Sequence, residues 1–297
     1  SELAEVTCGV PQGTICVPRL FTIIIKGVKC PMVLNVKFVD DKTLIHSYSG
    51  EPTPFLQNVL NMENTETTKD KMIINESKCN VINFNFSKKN SPPQNLELNN
   101  NKIASVDKIK LLGVIITNDL RWRENTAEIV KKVNMKYYQL VRLRQFSSKQ
   151  EVLLETWKVL MRPITEYAAP LWHSGLLEVD KRKLENLQKK ALALILGTIY
   201  IDHKRYYRIN GKPVSYEHAL KTCNLVPLAE RREILTKQFA HDTYKNPAHK
   251  DFFEEISDPR PNTRYKPKVK EQTGSSRRFH TSAGPVMARI VNSANST

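Results

Sequence analysis

The residues best suited to chemistry in this chain are two adjacent carboxylates, Asp40 and Asp41. They stand between two short apolar runs whose alternation and β-branched side chains predict a strand on each side, with the aspartates at the turn of a hairpin. Two like charges on a tight turn repel each other unless a cation lies beside them, and hard divalent cations prefer oxygen ligands. A solvated acidic turn without a metal is the alternative interpretation.

The elements that must position these carboxylates fall into two parts. As far as residue 122 short strands dominate, among them a nearly continuous apolar strand from Ile109 to Ile116. After residue 122 the apolar period becomes helical, with a capping box at Ser148-Lys149-Gln150-Glu151 and a helix from Glu178 to Leu196 that Gly197 ends. The two parts together predict an α+β fold.

The second part is expected to be entirely helical as far as residue 257. The capping-box helix should stop at Pro163, and further helices are predicted for Tyr216–Thr222 and Leu228–Lys245. Residues 258–297 are rich in Pro, Ser, Asn and cations, which predicts a basic tail that is flexible or becomes ordered on a partner.

The overall charge favours polyanionic partners. The chain has 46 Lys and Arg against 30 Asp and Glu, a net charge of +16, which places nucleic acid ahead of an anionic membrane as a partner. No apolar run approaches the ~18 residues of a membrane span. The five cysteines and seven histidines lack zinc-site spacing, so we expect reduced thiols in an intracellular protein.

Four short stretches follow one another along the first part of the chain. They are Gly9-Val10-Pro11-Gln12-Gly13-Thr14, Phe38-Val39-Asp40-Asp41, Asn75-x-x-Lys78, and Leu112-Gly113-Val114 with Trp122 after it. Their order resembles the palm motifs of reverse transcriptases from non-LTR retrotransposons, the long interspersed elements of the Jockey and chicken-repeat type. Further stretches are similar to the region that follows the polymerase domain in those elements: Arg162–His173, Leu184–Ala191, Leu228–Arg232 and Arg278–Ala283.

The resemblance implies nucleotidyl transfer by two metal ions, Mg²⁺ or Mn²⁺, with an RNA template, a DNA primer and deoxynucleotides as partners. Asp40 would be a metal ligand, and Asp41 would be the neighbouring carboxylate at the same site. Lys78 would protonate the pyrophosphate leaving group, unless it is an ordinary surface lysine on a turn.

The remaining implied roles concern contacts with nucleic acid. Pro11, Gln12 and Gly13 would lie against the incoming nucleotide and the template base. Leu112, Gly113 and Val114 would form the hairpin that grips the primer terminus, or else a buried strand. Backbone contacts are expected from the cations of the first long helix: Lys131, Lys132, Lys136, Arg142 and Arg144. Tyrosines beside basic residues, Tyr137, Tyr138, Tyr206 and Tyr207, could stack on bases or belong to the core.

These implications divide the chain into a partial palm over residues 1–122, a helical thumb and C-terminal region over 123–257, and the basic tail over 258–297. Family members carry a third carboxylate and the fingers upstream of the Pro-Gln-Gly motif, and Lys42 replaces a small hydroxyl residue. We therefore expect a fragment that does not extend a primer by itself and acts only in a longer parent, located in the nucleus and cytoplasm as an element ribonucleoprotein. The alternatives are a non-catalytic nucleic-acid-binding module and a protein-interaction remnant.

Overall fold

The structure is a computed structural model that combines helices with small sheets, as the α+β prediction requires. It describes residues 30, 32–48, 54–85, 94–146, 149–201, 204–256, 267–274 and 276–293. The described chain divides into two compact units. The first ends at Ile109 and includes Thr117–Asp119, and the second consists of Lys110–Ile116 and the chain from Leu120 onward.

The first unit is built from short strands around one helix. Its elements are β1 (Val33–Phe38), β2 (Asp41–His46), α1 (Phe55–Lys69), a 3₁₀ turn (Glu76–Lys78), β3 (Asn80–Val81), β4 (Glu97–Leu98), β5 (Asn101–Lys102) and β6 (Ala104–Ser105). Strands β1 and β2 form the predicted antiparallel hairpin. Strands β4 and β5 form another, which turns at Asn99 and Asn100 because asparagine tolerates the positive φ angles found there, 49° and 64°. Leu96, Leu98 and Ile103 form a small core.

The apolar run near residue 112 forms a hairpin, which is one of the two expected interpretations of Leu112–Val114, and not the single strand that its apolar pattern predicts. Strands β7 (Lys108–Leu111) and β8 (Val114–Thr117) pair in a two-stranded sheet. Leu112 and Gly113 connect them with φ angles of 45° and 85°. Glycine adopts such angles without steric cost, so Gly113 reverses the chain where an uninterrupted apolar pattern predicted continuation.

The helices of the second unit continue through Pro163, where the sequence predicted a helix end. Its elements are α2 (Arg123–Gln145), α3 (Gln150–Thr156), a π-helical turn (Trp157–Met161), α4 (Arg162–Glu166), α5 (Ala169–Trp172), a 3₁₀ turn (His173–Gly175) and α6 (Glu178–Leu196). Pro163 lies in the first turn of α4, where its missing N–H is not needed, so it does not stop the path. Lys149 is the N-cap of α3 without a side-chain cap, and Ser148 of the predicted capping box lies outside the described residues.

The prediction that residues 123–257 are entirely helical is wrong. After α6, which Gly197 ends as predicted, the chain forms a three-stranded antiparallel sheet. The elements are β9 (Thr198–Ile201), β10 (Lys204–Ile209), β11 (Lys212–Val214), α7 (Tyr216–Thr222), α8 (Leu228–Lys245), a 3₁₀ turn (Pro247–Phe252), α9 (Arg277–His280) and α10 (Ala283–Ser293). Asn210 and Gly211 turn β10 into β11 with φ angles of 48° and 77°, the turn chemistry that favours a tight hairpin.

The core of the second unit lies between α2, α6 and the short helices from α3 to α5. The predicted apolar stripe of α2 faces it, with Ile129, Val133, Tyr137 and Leu140 buried. A smaller cluster joins α8 to α10, where Met287 and Val291 pack near Ala240 and Phe253. Helix α10 lies within the segment expected to be a flexible tail, and its apolar stripe accounts for this packing.

Truncation of Leu140 should destabilise the second unit. Its side chain is fully buried, and Leu140→Ala should lower the free energy of unfolding by about 2–5 kcal/mol through lost burial and the cavity left behind. Leu160→Ala makes the same chemical change at an exposed position and should cost much less. Urea unfolding followed by far-ultraviolet circular dichroism measures both, and equal losses would contradict this description of the core.

Candidate functional site

Asp40 and Asp41 lie at the tip of the β1–β2 hairpin. Phe38 pairs with Asp41 in the register of the strands, so Val39 and Asp40 form the two-residue connection. Both aspartates are exposed. Val39 has a φ of 55°, a conformation that β-branched residues avoid at a cost of order 1–3 kcal/mol and that clusters at functional sites. The hairpin thus presents two carboxylates to solvent on a strained turn.

A buried carboxylate lies against one face of this hairpin. Glu63 of α1 is almost fully buried and pairs with Lys42, and its second oxygen accepts a hydrogen bond of 2.9 Å from Asn35. Lys37 stands opposite Lys42 in the register, and burial followed by repulsion from Lys42 lowers its pKa. The cation beside the aspartates, Lys42, is therefore engaged by Glu63.

The other face of the hairpin is apolar and exposed. It carries Leu34, Val36, Phe38 and Ile45. The hairpin therefore has its charged face against α1 and its apolar face outward, the reverse of the usual arrangement for a half-buried sheet.

Lys78 ends the 3₁₀ turn after Asn75, and its side chain is exposed. Glu76 of the same turn accepts hydrogen bonds from Asn99 and Asn101, which attaches the turn to the β4–β5 hairpin. Among the described residues, no hydrogen bond or ion pair joins Lys78 to Asp40 or Asp41. The turn that carries Lys78 is therefore held in place by the contacts of Glu76, and the Lys78 side chain remains accessible.

The hairpin at residues 112–114 is held by groups that the sequence analysis did not identify. Tyr167 donates a hydrogen bond of 2.7 Å from its hydroxyl to the carbonyl of Leu112, and its ring would lie 3.4 Å from a Cβ at Gly113. Asn125 accepts a hydrogen bond of 3.2 Å from the Ile115 N–H, and Val114 is buried in the core. Among the three residues predicted to grip the primer terminus, Leu112 is exposed at the turn, whereas Val114 packs in the core.

The predicted cations of α2 differ in their surroundings. Lys131, Lys136, Arg142 and Arg144 are exposed and have no carboxylate partner among the described residues. Lys132 lies 3.7 Å from Glu128. In the described part of the chain, four of the five cations predicted to contact the nucleic-acid backbone therefore have no carboxylate partner.

The tyrosines that could stack on bases differ in their exposure to solvent. Tyr137 is buried and donates a hydrogen bond to the carbonyl of Leu187, and burial raises its pKa. Tyr207 is buried as well, beside the ring of Tyr216. Tyr138, next to Tyr137 in sequence, is exposed. Of these three, only Tyr138 is available for stacking.

The stretches of the helical part that carry the family resemblance lie against one another. Three hydrogen bonds join them: Arg231 to Glu166, Arg232 to His173, and the Leu228 N–H to Glu185. Ser174, directly after the first stretch, donates a further hydrogen bond to the Thr281 carbonyl. Arg232 is fully buried, its Nε donates to His173 Nδ1 at 3.2 Å, and its guanidinium lies 5.6 Å from the centroid of Trp172. Residues from three of these stretches, among them Trp172, Leu187 and Leu228, are buried in the core of the second unit.

The candidate metal ligands are Asp40 and Asp41. No three His, Cys, Asp or Glu side chains of the described chain form a group that could hold a metal ion. The predicted nucleotide contacts Pro11, Gln12 and Gly13 lie outside the described residues. In the described part of the chain, no helix is sufficiently long and apolar to cross a membrane.

Comparisons with protein-family models, with curated proteins and with solved structures find no match for this chain. The functional argument therefore depends on the residues and their geometry.

The buried histidine predicts a pH dependence of stability. Burial, followed by the neighbouring Arg232, lowers the pKa of His173 to about 4. The unfolded state, with its pKa of about 6.5, binds this proton first as the pH falls, so stability should be lost progressively between pH 6.5 and 4, by about 3 kcal/mol at most. Denaturant unfolding of wild type and His173→Gln across this range measures the effect. The difference between the two proteins should vary with pH, and a constant difference would refute a neutral buried His173.

Proposed function

We propose that this chain is part of a reverse transcriptase of a non-LTR retrotransposon, with a partial palm over residues 1–122 and a thumb-like region after it. The observation that carries the proposal is the tip of the β1–β2 hairpin. Asp40 and Asp41 are exposed there, and Val39 beside them keeps a strained positive φ. Strain of this kind persists where the surrounding structure imposes it, and it accumulates at functional sites.

The tip has the donor groups that the proposed chemistry requires. Mg²⁺ commonly binds through one or two carboxylates together with water and substrate phosphates, so Asp40 and Asp41 fit as its protein ligands. Bound Mg²⁺ or Mn²⁺ ions would supply charge stabilisation for the attacking and leaving oxygens. Because Glu63 engages Lys42, this cation is held at the edge of the tip.

The proposed reaction is the extension of a DNA primer on an RNA template. The primer 3′ hydroxyl loses its proton to solvent as its oxygen attacks the α-phosphorus of a deoxynucleotide, and the bond from this phosphorus to the pyrophosphate oxygen breaks. Lys78, whose ammonium is exposed, would give a proton to the departing pyrophosphate. Leu112 at the exposed hairpin turn would contact the primer end. In an element ribonucleoprotein such a protein would act in the nucleus and cytoplasm.

A second candidate function is a nucleic-acid-binding module without catalysis. The uncompensated cations of α2 favour it, because phosphate contacts need no metal site. In this case affinity should fall steeply with salt while Asp40 and Asp41 contribute nothing.

Substitution of Asp40 separates these two functions. Asp40→Asn should weaken Mn²⁺ binding about tenfold or more, because an anionic ligand is lost. Electron paramagnetic resonance of Mn²⁺ titrated into the protein in the presence of a deoxynucleotide measures this. Asp70→Asn, at an exposed carboxylate after α1, should bind Mn²⁺ as wild type does.

Binding to an RNA–DNA duplex should be the same in all three proteins. Unchanged Mn²⁺ affinity in Asp40→Asn, together with intact duplex binding, would exclude the metal site and leave the non-catalytic module. Loss of duplex binding in Asp40→Asn would contradict both accounts.

A further inference from the structure

The outward side of α2 carries a line of residues that the proposed catalytic chemistry does not use. We name it the outer stripe: Lys131, Met135, Tyr138, Arg142 and Phe146. Successive members are three or four positions apart, so they lie along one side of the helix, opposite the buried stripe. The exposed fractions of Met135, Tyr138 and Phe146 are 61%, 68% and 72%. Such large exposed apolar side chains in one line indicate a binding surface.

The arginine of the outer stripe lies close to both rings. Its guanidinium carbon is 6.0 Å from the centroid of Tyr138 and 5.4 Å from that of Phe146. These contacts restrain the two rings while leaving them mostly exposed. Neither Lys131 nor Arg142 has a carboxylate partner among the described residues, so both remain available to an anion.

The charge around the outer stripe is positive as well. Helix α2 has six cations and two carboxylates. A shallow groove beside Lys131 and Met135 is lined on its other side by Lys183 of α6. Further along α6, Lys190 lies 3.5 Å from Asn134, another residue of that groove.

We propose that the outer stripe binds an unpaired nucleic-acid strand, with bases stacked on Tyr138 and Phe146 and phosphates at Lys131 and Arg142. This inference depends on the proposed function, whose nucleic-acid partner it specifies. A nucleic-acid strand alternates anionic phosphates with flat bases, and the stripe alternates cations with rings. Base stacking on exposed aromatic side chains together with backbone contacts from cations is the general mode of single-strand binding.

The spacing of the rings selects an unpaired strand over a duplex. In a duplex each base is covered on both sides by its neighbours, so its flat surface cannot reach a side chain. Tyr138 and Phe146 are eight residues apart, about 12 Å along the helix axis. This exceeds the ~3.4 Å step between stacked bases, so the two bases on the rings are separated by further nucleotides of an extended strand.

The opposite side of α2 argues against a membrane surface as the partner. An interfacial helix inserts its apolar side into the lipid. In α2 that side is occupied by the protein core, with Ile129, Val133 and Leu140 buried. Arg142 also lies between the rings of Tyr138 and Phe146, which interrupts any continuous apolar surface.

The test measures binding of the full chain to a fluorescein-labelled 20-nucleotide RNA and to the same RNA annealed to its DNA complement, by fluorescence anisotropy at 50 and 200 mM salt. Tyr138→Ala should weaken single-strand binding by about 5- to 150-fold, the worth of one stacked base, and duplex binding by less than about twofold. Tyr138→Phe should retain wild-type affinity because it keeps the ring. Phe252→Ala removes an equally exposed ring elsewhere in the second unit and should change neither affinity.

The cations should behave differently from the rings. Lys131→Ala should weaken binding to both ligands and lower the salt slope by about one, whereas Tyr138→Ala should leave the slope unchanged. Equal losses for the two ligands in Tyr138→Ala, or no loss in either, would overturn the inference. Competition by polyglutamate as strong as that by unlabelled RNA would also overturn it, because that result indicates an acidic protein partner.

Failure of the proposed function has a different signature. If wild type binds neither RNA nor the RNA–DNA duplex at 50 mM salt, the nucleic-acid function itself fails. If wild type binds the duplex but Tyr138→Ala has no selective effect, only the outer stripe inference fails. Circular dichroism of each variant confirms that the exposed substitutions leave the helices intact.

Discussion

The second unit depends on a guanidinium that is removed from water. Arg232 is fully buried. Among the described residues its two terminal nitrogens have no hydrogen-bond partner, whereas its Nε donates to His173. Burial lowers the pKa of Arg232 to about 10, against the opposing influence of Glu185, Glu166 and Glu233. The side chain therefore remains a cation at neutral pH. A buried cation of this kind tolerates little displacement of the carboxylates and ring around it.

The same region supports the turn between β7 and β8. Arg231 pairs with Glu166, and Tyr167 follows directly in a turn where Ala168 has a φ of 52°. The Tyr167 carbonyl accepts a hydrogen bond of 3.0 Å from the indole of Trp172, which lies beside Arg232. The Tyr167 hydroxyl then holds Leu112. Residues that are far apart in sequence thus form one continuous set of contacts from α8 to the β7–β8 turn.

Local pattern predicted much of this fold, and long-range pairing accounts for what it missed. The bounds of α6, α7 and α8 follow from apolar periodicity and end signals. The β9–β11 sheet was not predicted although Asn210-Gly211 is a hairpin signal, since helical patterns lie on both sides of it. A continuous apolar run could not distinguish one strand from the hairpin that Gly113 permits.

At the candidate site as well, local sequence pattern indicated some residues and did not indicate those that act through distant partners. Adjacent carboxylates between two apolar runs were sufficient to find Asp40 and Asp41 at a turn. The sequence does not indicate the individual roles of Glu63, Tyr167 and Arg232, since each acts through a partner more than twenty positions away. Tyr137 and Tyr138 could not be separated by residue type, and only the direction of each on α2 distinguishes a core ring from an exposed one.

The charged face that the β1–β2 hairpin turns toward α1 helps to fix the register of its two strands. Buried Glu63 meets Lys42 on the face of β2 that also carries Leu44. If β2 slipped by a single residue, every side chain would change face, and Asp41 would be brought toward Glu63 in place of Lys42. Lys37 of β1 would then be the cation beside two carboxylates where Lys42 now also contributes, a less favourable charge arrangement that the correct alignment avoids. The Lys42–Glu63 ion pair thus favours the correct alignment of β1 with β2, and this alignment determines which residues lie at the tip.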